Sequence, residues 1–141
     1  MLYRCVDAAR NHWRSGHEDA GNARGRLGED IAQRYLQKRG FTIVGKNYRT
    51  RSGSGEVDLI GWDGPALVFV EVKSRSSQEF GTPDQAVDKE KRERLLRAAG
   101  DYLVRSGASW DEVRFDIVNV LFDGTAVVQH LVNVFNRPKP L

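Results

Sequence analysis

Residues 56–73 read EVDLIGWDGPALVFVEVK, and this stretch decides the fold class. Two hydrophobic runs flank DGPA at 63–66, where glycine and proline are typical of a turn. The stretch therefore predicts a β-hairpin with strands at 56–62 and 67–73. Four charged residues interrupt these hydrophobic strands: Glu56, Asp58, Glu71 and Lys73. A charge in a buried strand needs a compensating partner.

The charges of the hairpin fall on shared faces, because side chains alternate along a strand. Glu56 and Asp58 share one face of the first strand. Glu71 and Lys73 share one face of the second. A four-residue loop between the strands places Asp58 opposite Glu71, whereas a two-residue loop places Glu56 opposite Glu71. In either register, like charges come to within about 4.5–5.5 Å between Cβ atoms, which destabilises the pair.

A divalent cation would remove this repulsion. Mg²⁺ is the natural candidate, because it takes oxygen ligands from one or two carboxylates and keeps several waters. Lys73 would then lie beside one of those waters. Glu29 adds a fourth carboxylate, since helical spacing places it over Ala32 and Leu36 on the inward face of a helix. Taken singly, each of these residues is also compatible with a surface charge or a simple salt bridge.

The rest of the chain supplies two helices and three more strands. The predicted helices cover 26–39 and 82–105, and the remaining predicted strands cover 41–48, 113–122 and 126–135. Gly40 ends the first helix. Thr82 can cap the second helix, with Pro83 in its first turn and Gln85 completing a capping box. The order αβββαββ predicts an α/β fold with a central sheet flanked by helices.

Length and composition favour a single domain. The chain has 141 residues with 40% hydrophobic content, which suffices for one core. We expect a loosely ordered N-terminal extension at 1–24, one domain at 25–136 and a C-terminal tail at 137–141. The single cysteine excludes an internal disulfide framework, and the longest apolar run, at 66–70, is far shorter than the roughly 20 residues of a membrane helix. With no targeting signal in view, we expect a cytoplasmic protein with no membrane partner.

The net charge of +3 is unevenly distributed. Residues 1–50 carry 10 Lys and Arg against 5 Asp and Glu, and residues 51–141 carry 12 against 14. A basic flank beside an acidic core suits a protein that holds a polyanion near a metal-binding carboxylate group. Ordinary solubilising charge fits these totals equally well.

The joint pattern resembles the PD-(D/E)XK nuclease superfamily, in which an Asp on one strand and Glu-x-Lys on the next surround Mg²⁺. The nominal Pro of that label is Val57 here. Five segments occur in the order seen in the YraN-like family of presumed endonucleases: GRLGEDIAQRYL, GEVDLI, LVFVEVKSR, TPDQAVDKEKRERLLRAAGDYL and RFDIVNV. They span roughly residues 24–135. That family is similar in core to archaeal Holliday junction resolvases, which implies a restriction-endonuclease-like core around a mixed sheet.

The resemblance implies a role for each matching catalytic residue. Asp58 and Glu71 would ligate Mg²⁺ or Mn²⁺, with help from the Val72 carbonyl. Glu29 would complete the site, directly or through a water. Lys73 would orient or deprotonate the attacking water, or stabilise charge in the transition state.

The resemblance also implies supporting groups and partners. Glu56 and Gln85 would contact the metal ligands and not the ion itself. Three cations would contact nucleic-acid phosphates: Arg75, Lys91 and Arg92. The implied function is a Mg²⁺-dependent endonuclease acting on nucleic acid, with DNA expected. Branched or flapped DNA and a homodimer follow by similarity to the resolvases. Two alternatives stay open: a non-catalytic nucleic-acid-binding or adaptor protein that retains the fold, and a structural or regulatory metal site without phosphodiester chemistry.

Overall fold

The sheet and helices follow the predicted order αβββαββ, preceded by one further strand. A computed structural model describes residues 2–5, 20–76 and 88–136. Its elements are β1 (Leu2–Cys5), α1 (Ala20–Lys38), β2 (Thr42–Arg49), β3 (Glu56–Asp63), β4 (Ala66–Ser76), α2 (Lys89–Ser106), a 3₁₀ turn (Trp110–Glu112), β5 (Val113–Asp123) and β6 (Thr125–Leu131). No helix among these residues combines the length and apolar character needed to cross a membrane.

Six strands form one mixed sheet in the spatial order β1-β6-β5-β4-β3-β2. Strands β4 and β5 are parallel, and all other neighbours are antiparallel. A parallel pair needs a long crossover, and α2 lies within the segment that connects these two strands. The predicted α/β class and mixed sheet flanked by helices are confirmed, and the architecture is consistent with a restriction-endonuclease-like core.

Each face of the sheet is covered by one helix, which explains the unbroken apolar run in β4. Val68, Val70 and Val72 of β4 pack on the α1 side. Leu67 and Phe69 pack on the α2 side. The helix residues that complete the two cores are Leu27, Ile31, Ala32, Tyr35 and Leu36 of α1, and Leu95, Ala98, Ala99 and Leu103 of α2.

The hairpin adopts the register that places Asp58 across from Glu71. Its pairs run from Leu59 with Val70 to Asp63 with Ala66. The turn consists of Gly64 and Pro65 alone, with Gly64 at φ +58°. It has the same centre as the predicted loop 63–66 and therefore keeps that loop's register, so the expectation that a two-residue loop would place Glu56 opposite Glu71 was wrong. Glycine adopts this left-handed conformation without the steric cost that a side chain adds, so Gly64 favours the tight turn.

Several predicted boundaries were wrong. Helix α1 begins at Ala20 and not at Arg26, and β1 forms at Leu2–Cys5, so both ends of the expected loose extension belong to regular structure. Helix α2 begins at Lys89, because Asp88 is extended (φ −64°, ψ 164°) and its side chain accepts a hydrogen bond from the Lys91 N–H. Gln85, like the rest of the predicted cap at Thr82, lies outside the described residues.

The last strand also ends early. Strand β6 stops at Leu131 and not at the predicted residue 135. Asn133 has a positive φ of 58°, and its N–H donates to a carboxylate oxygen of Asp116 (3.0 Å) in place of a strand neighbour. The Val134 N–H then returns to the Phe115 carbonyl (2.8 Å). A side-chain acceptor thus ends the ladder.

Candidate active site

The site lies where β3 and β4 separate. Their backbone pairing ends at Leu59 with Val70, and beyond that point the Val72 N–H donates to Asp58 Oδ2 at 2.7 Å. Simple alternation fails here, since Val57 and Ile60 both pack on the α2 side although they are three positions apart. The Asp58 carboxylate therefore takes the place of a strand acceptor and lies in the gap between the two strands.

The electrostatics of Asp58 are unfavourable to its charged form. Burial and the charge of Glu71 raise its pKa to about 7, and the charges of Glu29 and Glu56 act in the same direction. The hydrogen bond from Val72 lowers the pKa but does not cancel the other effects. Carboxylates of α1, β3 and β4 thus surround one partly buried acid.

Two cations of α2 neutralise the neighbouring carboxylates. Lys91 Nζ lies 3.3 Å from Glu71 Oε1. Arg94 donates a short hydrogen bond to Glu56 Oε2. These four side chains and Asp58 line a cavity of about 150 Å³. A water occupies about 30 Å³ of liquid, so the cavity can hold a cation with part of its hydration shell.

Sequence reasoning assigned Lys91 to nucleic-acid phosphates, not to a carboxylate of the site, and gave Arg94 no role. The two residues are three positions apart on α2, which puts them on one helical face. The basic run KEKRERLLR at 89–97 contained this signal. Which cation faces the site, and which carboxylate receives it, depends on how α2 packs against the sheet.

Glu29 reaches the site from the opposite face. It is half-buried on α1, and burial raises its pKa, whereas a hydrogen bond with Asn47 lowers it. Its charge interacts with Glu56 and Asp58, but its side chain does not line the cavity. The structure therefore brings Glu29 close to the carboxylates without placing it among the cavity walls.

The other predicted residues that the structure describes are not among the cavity walls. Strand alternation puts Lys73 and Arg75 on the same side of β4 as Glu71, and both are partly buried. The Arg92 guanidinium lies over the Phe135 ring, 5.4 Å from its centroid. The group of Val72 that contacts Asp58 is its N–H, and a role for its carbonyl stays a prediction.

The cavity is not a complete metal cage. Within residues 20–76 and 88–136, no three Asp, Glu, His or Cys side chains are grouped so that they could together hold a metal ion. This agrees with the pairing of Glu71 and Glu56 with cations of α2. Asp58 and Glu71 still fit Mg²⁺, since this ion uses only one or two carboxylates and keeps its other ligands as water.

The loop between β2 and β3 anchors the site to α2. The Gly55 N–H donates to Thr50 Oγ1 (2.9 Å), and Arg97 Nε donates to the Ser54 carbonyl (2.8 Å). A Cβ on Gly55 would lie 2.7 Å from the backbone N of Ala98. Only glycine permits this approach, which holds the start of β3 against the helix that carries Lys91 and Arg94.

A second buried polar cluster has all its partners and is structural. Arg114 donates two hydrogen bonds of 2.9 Å to Asp116 and one of 2.9 Å to Asp63. His130 Nε2 lies 2.8 Å from Asp116, which also accepts from the Asn133 N–H. Burial would raise the pKa of Asp116, but these hydrogen bonds outweigh burial and lower it. A carboxylate with this many donors needs no external ligand.

Comparison with known proteins identifies relatives along nearly the whole chain. The model of "Uncharacterised protein family UPF0102" matches residues 28–120. A UPF0102 protein of Solibacter usitatus is 48% identical over 136 residues, covering 96% of this chain and 98% of that protein. A UPF0102 protein of Anaeromyxobacter dehalogenans is 43% identical, covering 86% and 90%. The matched region includes both strands of the hairpin and all of α2, and the chain therefore belongs to family UPF0102.

Proposed function

We propose that this protein is a metal-dependent endonuclease of the PD-(D/E)XK type, which uses Mg²⁺ or Mn²⁺ to hydrolyse phosphodiester bonds in nucleic acid, with DNA as the expected substrate. One observation carries the proposal: Asp58 is partly buried among Glu71, Glu29 and Glu56, and its pKa is raised to about 7. Such a cluster costs stability, and strongly perturbed acids in a cleft mark candidate functional sites. Binding of a cation would offset the repulsion among these carboxylates.

The residues fit a hard divalent cation. Asp58 and Glu71 would hold it, with the Val72 carbonyl as a further oxygen ligand and Glu29 acting directly or through a water. The ion would supply Lewis-acid polarisation of the phosphodiester and of the attacking water. Glu56 would support these ligands from its position on the cavity wall.

The basic residues have separate roles. Lys73 would orient the attacking water, accept its proton or stabilise the negative charge that develops on the phosphate. Arg75, Lys91 and Arg92 would bind neighbouring phosphates, which positions the strand without reading its sequence. Resemblance to the resolvases supports branched or flapped DNA as substrate and a homodimer that presents two sites to two strands.

The test is a cleavage assay on branched, flapped and linear DNA with MgCl₂ or MnCl₂. We expect wild-type protein to cleave at least one of these substrates, and Asp58→Ala and Lys73→Ala to be inactive. The control is Asp111→Asn, an exposed carboxylate on the 3₁₀ turn, which should retain activity. If none of the four proteins cleaves any substrate with either ion, the enzyme proposal fails.

A non-catalytic nucleic-acid-binding or adaptor protein is the second candidate. The observation in its favour is that Glu71 and Glu56 already have cationic partners within the chain. This candidate predicts that wild type, Asp58→Ala and Lys73→Ala bind DNA equally in a gel-shift assay and leave it intact. Metal-dependent cleavage by wild type that Asp58→Ala and Lys73→Ala both lack would exclude the non-catalytic candidate.

A further inference from the structure

The cavity contains a nearly balanced set of charges. Glu56, Asp58 and Glu71 contribute three negative charges, and Lys91 and Arg94 contribute two positive charges. The net charge of the walls is one negative unit when all five are ionised. A divalent cation among the carboxylates would reverse it to one positive unit. The same cavity would then attract a phosphate, which it repels before the cation binds.

The two cations can leave their present partners. The side chain of Lys91 is 45% exposed and that of Arg94 is 40% exposed, whereas the Glu71 side chain is only 16% exposed. Lysine and arginine have long flexible side chains, so their charged ends can turn to solvent while the carboxylates stay at the sheet. Contacts at this level of exposure are weak enough to exchange.

We infer that Lys91 and Arg94 are exchange cations, which hold Glu71 and Glu56 until a divalent cation binds and then transfer to the phosphates of nucleic acid. This inference rests on the proposed function, and it adds that cation binding regulates the binding of nucleic acid at the same site. The divalent cation and the nucleic acid each displace a partner that hinders the other, so their binding is cooperative. Linkage requires the cooperativity to be equal in both directions.

The first measurement is cation affinity without nucleic acid. Isothermal titration calorimetry with MnCl₂ would compare wild type, Lys91→Gln and Arg94→Gln. Each variant loses an internal competitor, so we expect it to bind Mn²⁺ roughly three- to tenfold more tightly. The control is Lys89→Gln, which removes the same charge from the same turn of α2 at a residue that does not line the cavity. Equal affinity in Lys91→Gln, Arg94→Gln and Lys89→Gln would overturn the inference.

The second measurement is nucleic-acid affinity. Fluorescence anisotropy with a labelled branched DNA would be recorded with EDTA and then with CaCl₂, because Ca²⁺ also takes oxygen ligands. A gel would confirm that the DNA remains intact. Wild type and Lys89→Gln should bind several-fold more tightly with Ca²⁺, and this gain should shrink in Lys91→Gln and Arg94→Gln. An undiminished gain in both variants would contradict the transfer to phosphate.

The two measurements separate failure of the inference from failure of the proposed function. If no protein binds Mn²⁺ or Ca²⁺, the metal site is refuted and both proposals fall. If wild type binds the cation and cleaves DNA, but the variants match Lys89→Gln in both affinities, only the exchange of Lys91 and Arg94 is refuted. Circular dichroism of each variant would verify that the fold is retained.

Discussion

Replacing Asp58 with asparagine should stabilise the metal-free protein, and the gain should grow as the pH rises. The pKa of Asp58 is about 7 in the folded protein against an ordinary value of 3.8. Because the folded-state pKa is the higher one, folding is penalised as the pH rises from 3.8 to about 7, and the full penalty applies above that range. Asparagine removes the charge, and its Oδ1 can still accept the hydrogen bond from the Val72 N–H.

The size of the pKa shift determines how much stability Asp58→Asn should gain. A shift of about three pKa units corresponds to about 4 kcal/mol. Lys91 and the water that enters the cavity screen part of the repulsion, so we expect a gain of about 2 kcal/mol near pH 8 and of less than about 1 kcal/mol near pH 5. For a chain of this length, the larger figure raises Tm by about 6 °C.

The assay is urea unfolding in EDTA at the two pH values, followed by circular dichroism. Asp111→Asn is the matched control, because it makes the same change at an exposed carboxylate and should give no pH-dependent gain. Added MgCl₂ should stabilise wild type more than the Asp58→Asn protein, since the cation binds the charge that asparagine lacks. A gain that is absent near pH 8, or equal at both pH values, would refute the reasoning.

Three further predictions follow from the packing and chemistry of the site. Gly55→Ala should cost about 1–3 kcal/mol in urea unfolding, because its Cβ would clash with the α2 backbone, whereas Gly25→Ala, with no atom within 4 Å on α1, should gain about 0.5–1 kcal/mol. If Gly55→Ala were no less stable than Gly25→Ala, the close approach of Gly55 to α2 would be contradicted. Asp116→Ala should cost about 3–5 kcal/mol, because it removes the buried main acceptor of the partly buried Arg114. Since the pKa of Asp116 is lowered, its stabilisation is complete above the ordinary value of 3.8 and is lost as the pH falls through the folded-state pKa, so wild type should resist acid unfolding to a lower pH than the variant. Lys73→Ala should slow single-turnover cleavage by about 10²–10⁴-fold while calorimetry shows little change in Mn²⁺ affinity, and an equal loss of both would assign Lys73 to cation binding.

Local sequence patterns were sufficient for the hairpin and for the order of helices and strands. The consecutive apolar residues of β4 predicted a strand, and in the structure they pack on both faces of the sheet. The turn residues left two registers open, and the pairing around Gly64 and Pro65 selects the one with Asp58 across from Glu71. Features set by neighbours in the chain were therefore predictable.

Features set by contacts between distant segments could not be predicted from the sequence. The break in alternation at Asp58 depends on how β3 separates from β4, and no residue in the sequence marks it. The sequence pattern pointed to Thr82 as the cap of α2 and gave Asp88 no role, although Asp88 caps the helix in the structure. Arg94 was missed for the same reason, because its partner Glu56 lies on a different element. Strand β1 forms on the open edge of β6, which the local pattern of Leu2–Cys5 does not reveal.

The turn at Gly64 and Pro65 offers a place to attach a probe. It lies at the other end of β3 from Asp58, and five residues of strand span roughly 16 Å. Pro65 is exposed, so Pro65→Cys can carry a fluorophore after the single native cysteine is replaced. Such a label would report the tumbling of the whole domain when a large nucleic acid binds, and the carboxylates and cations of the cavity would remain unmodified.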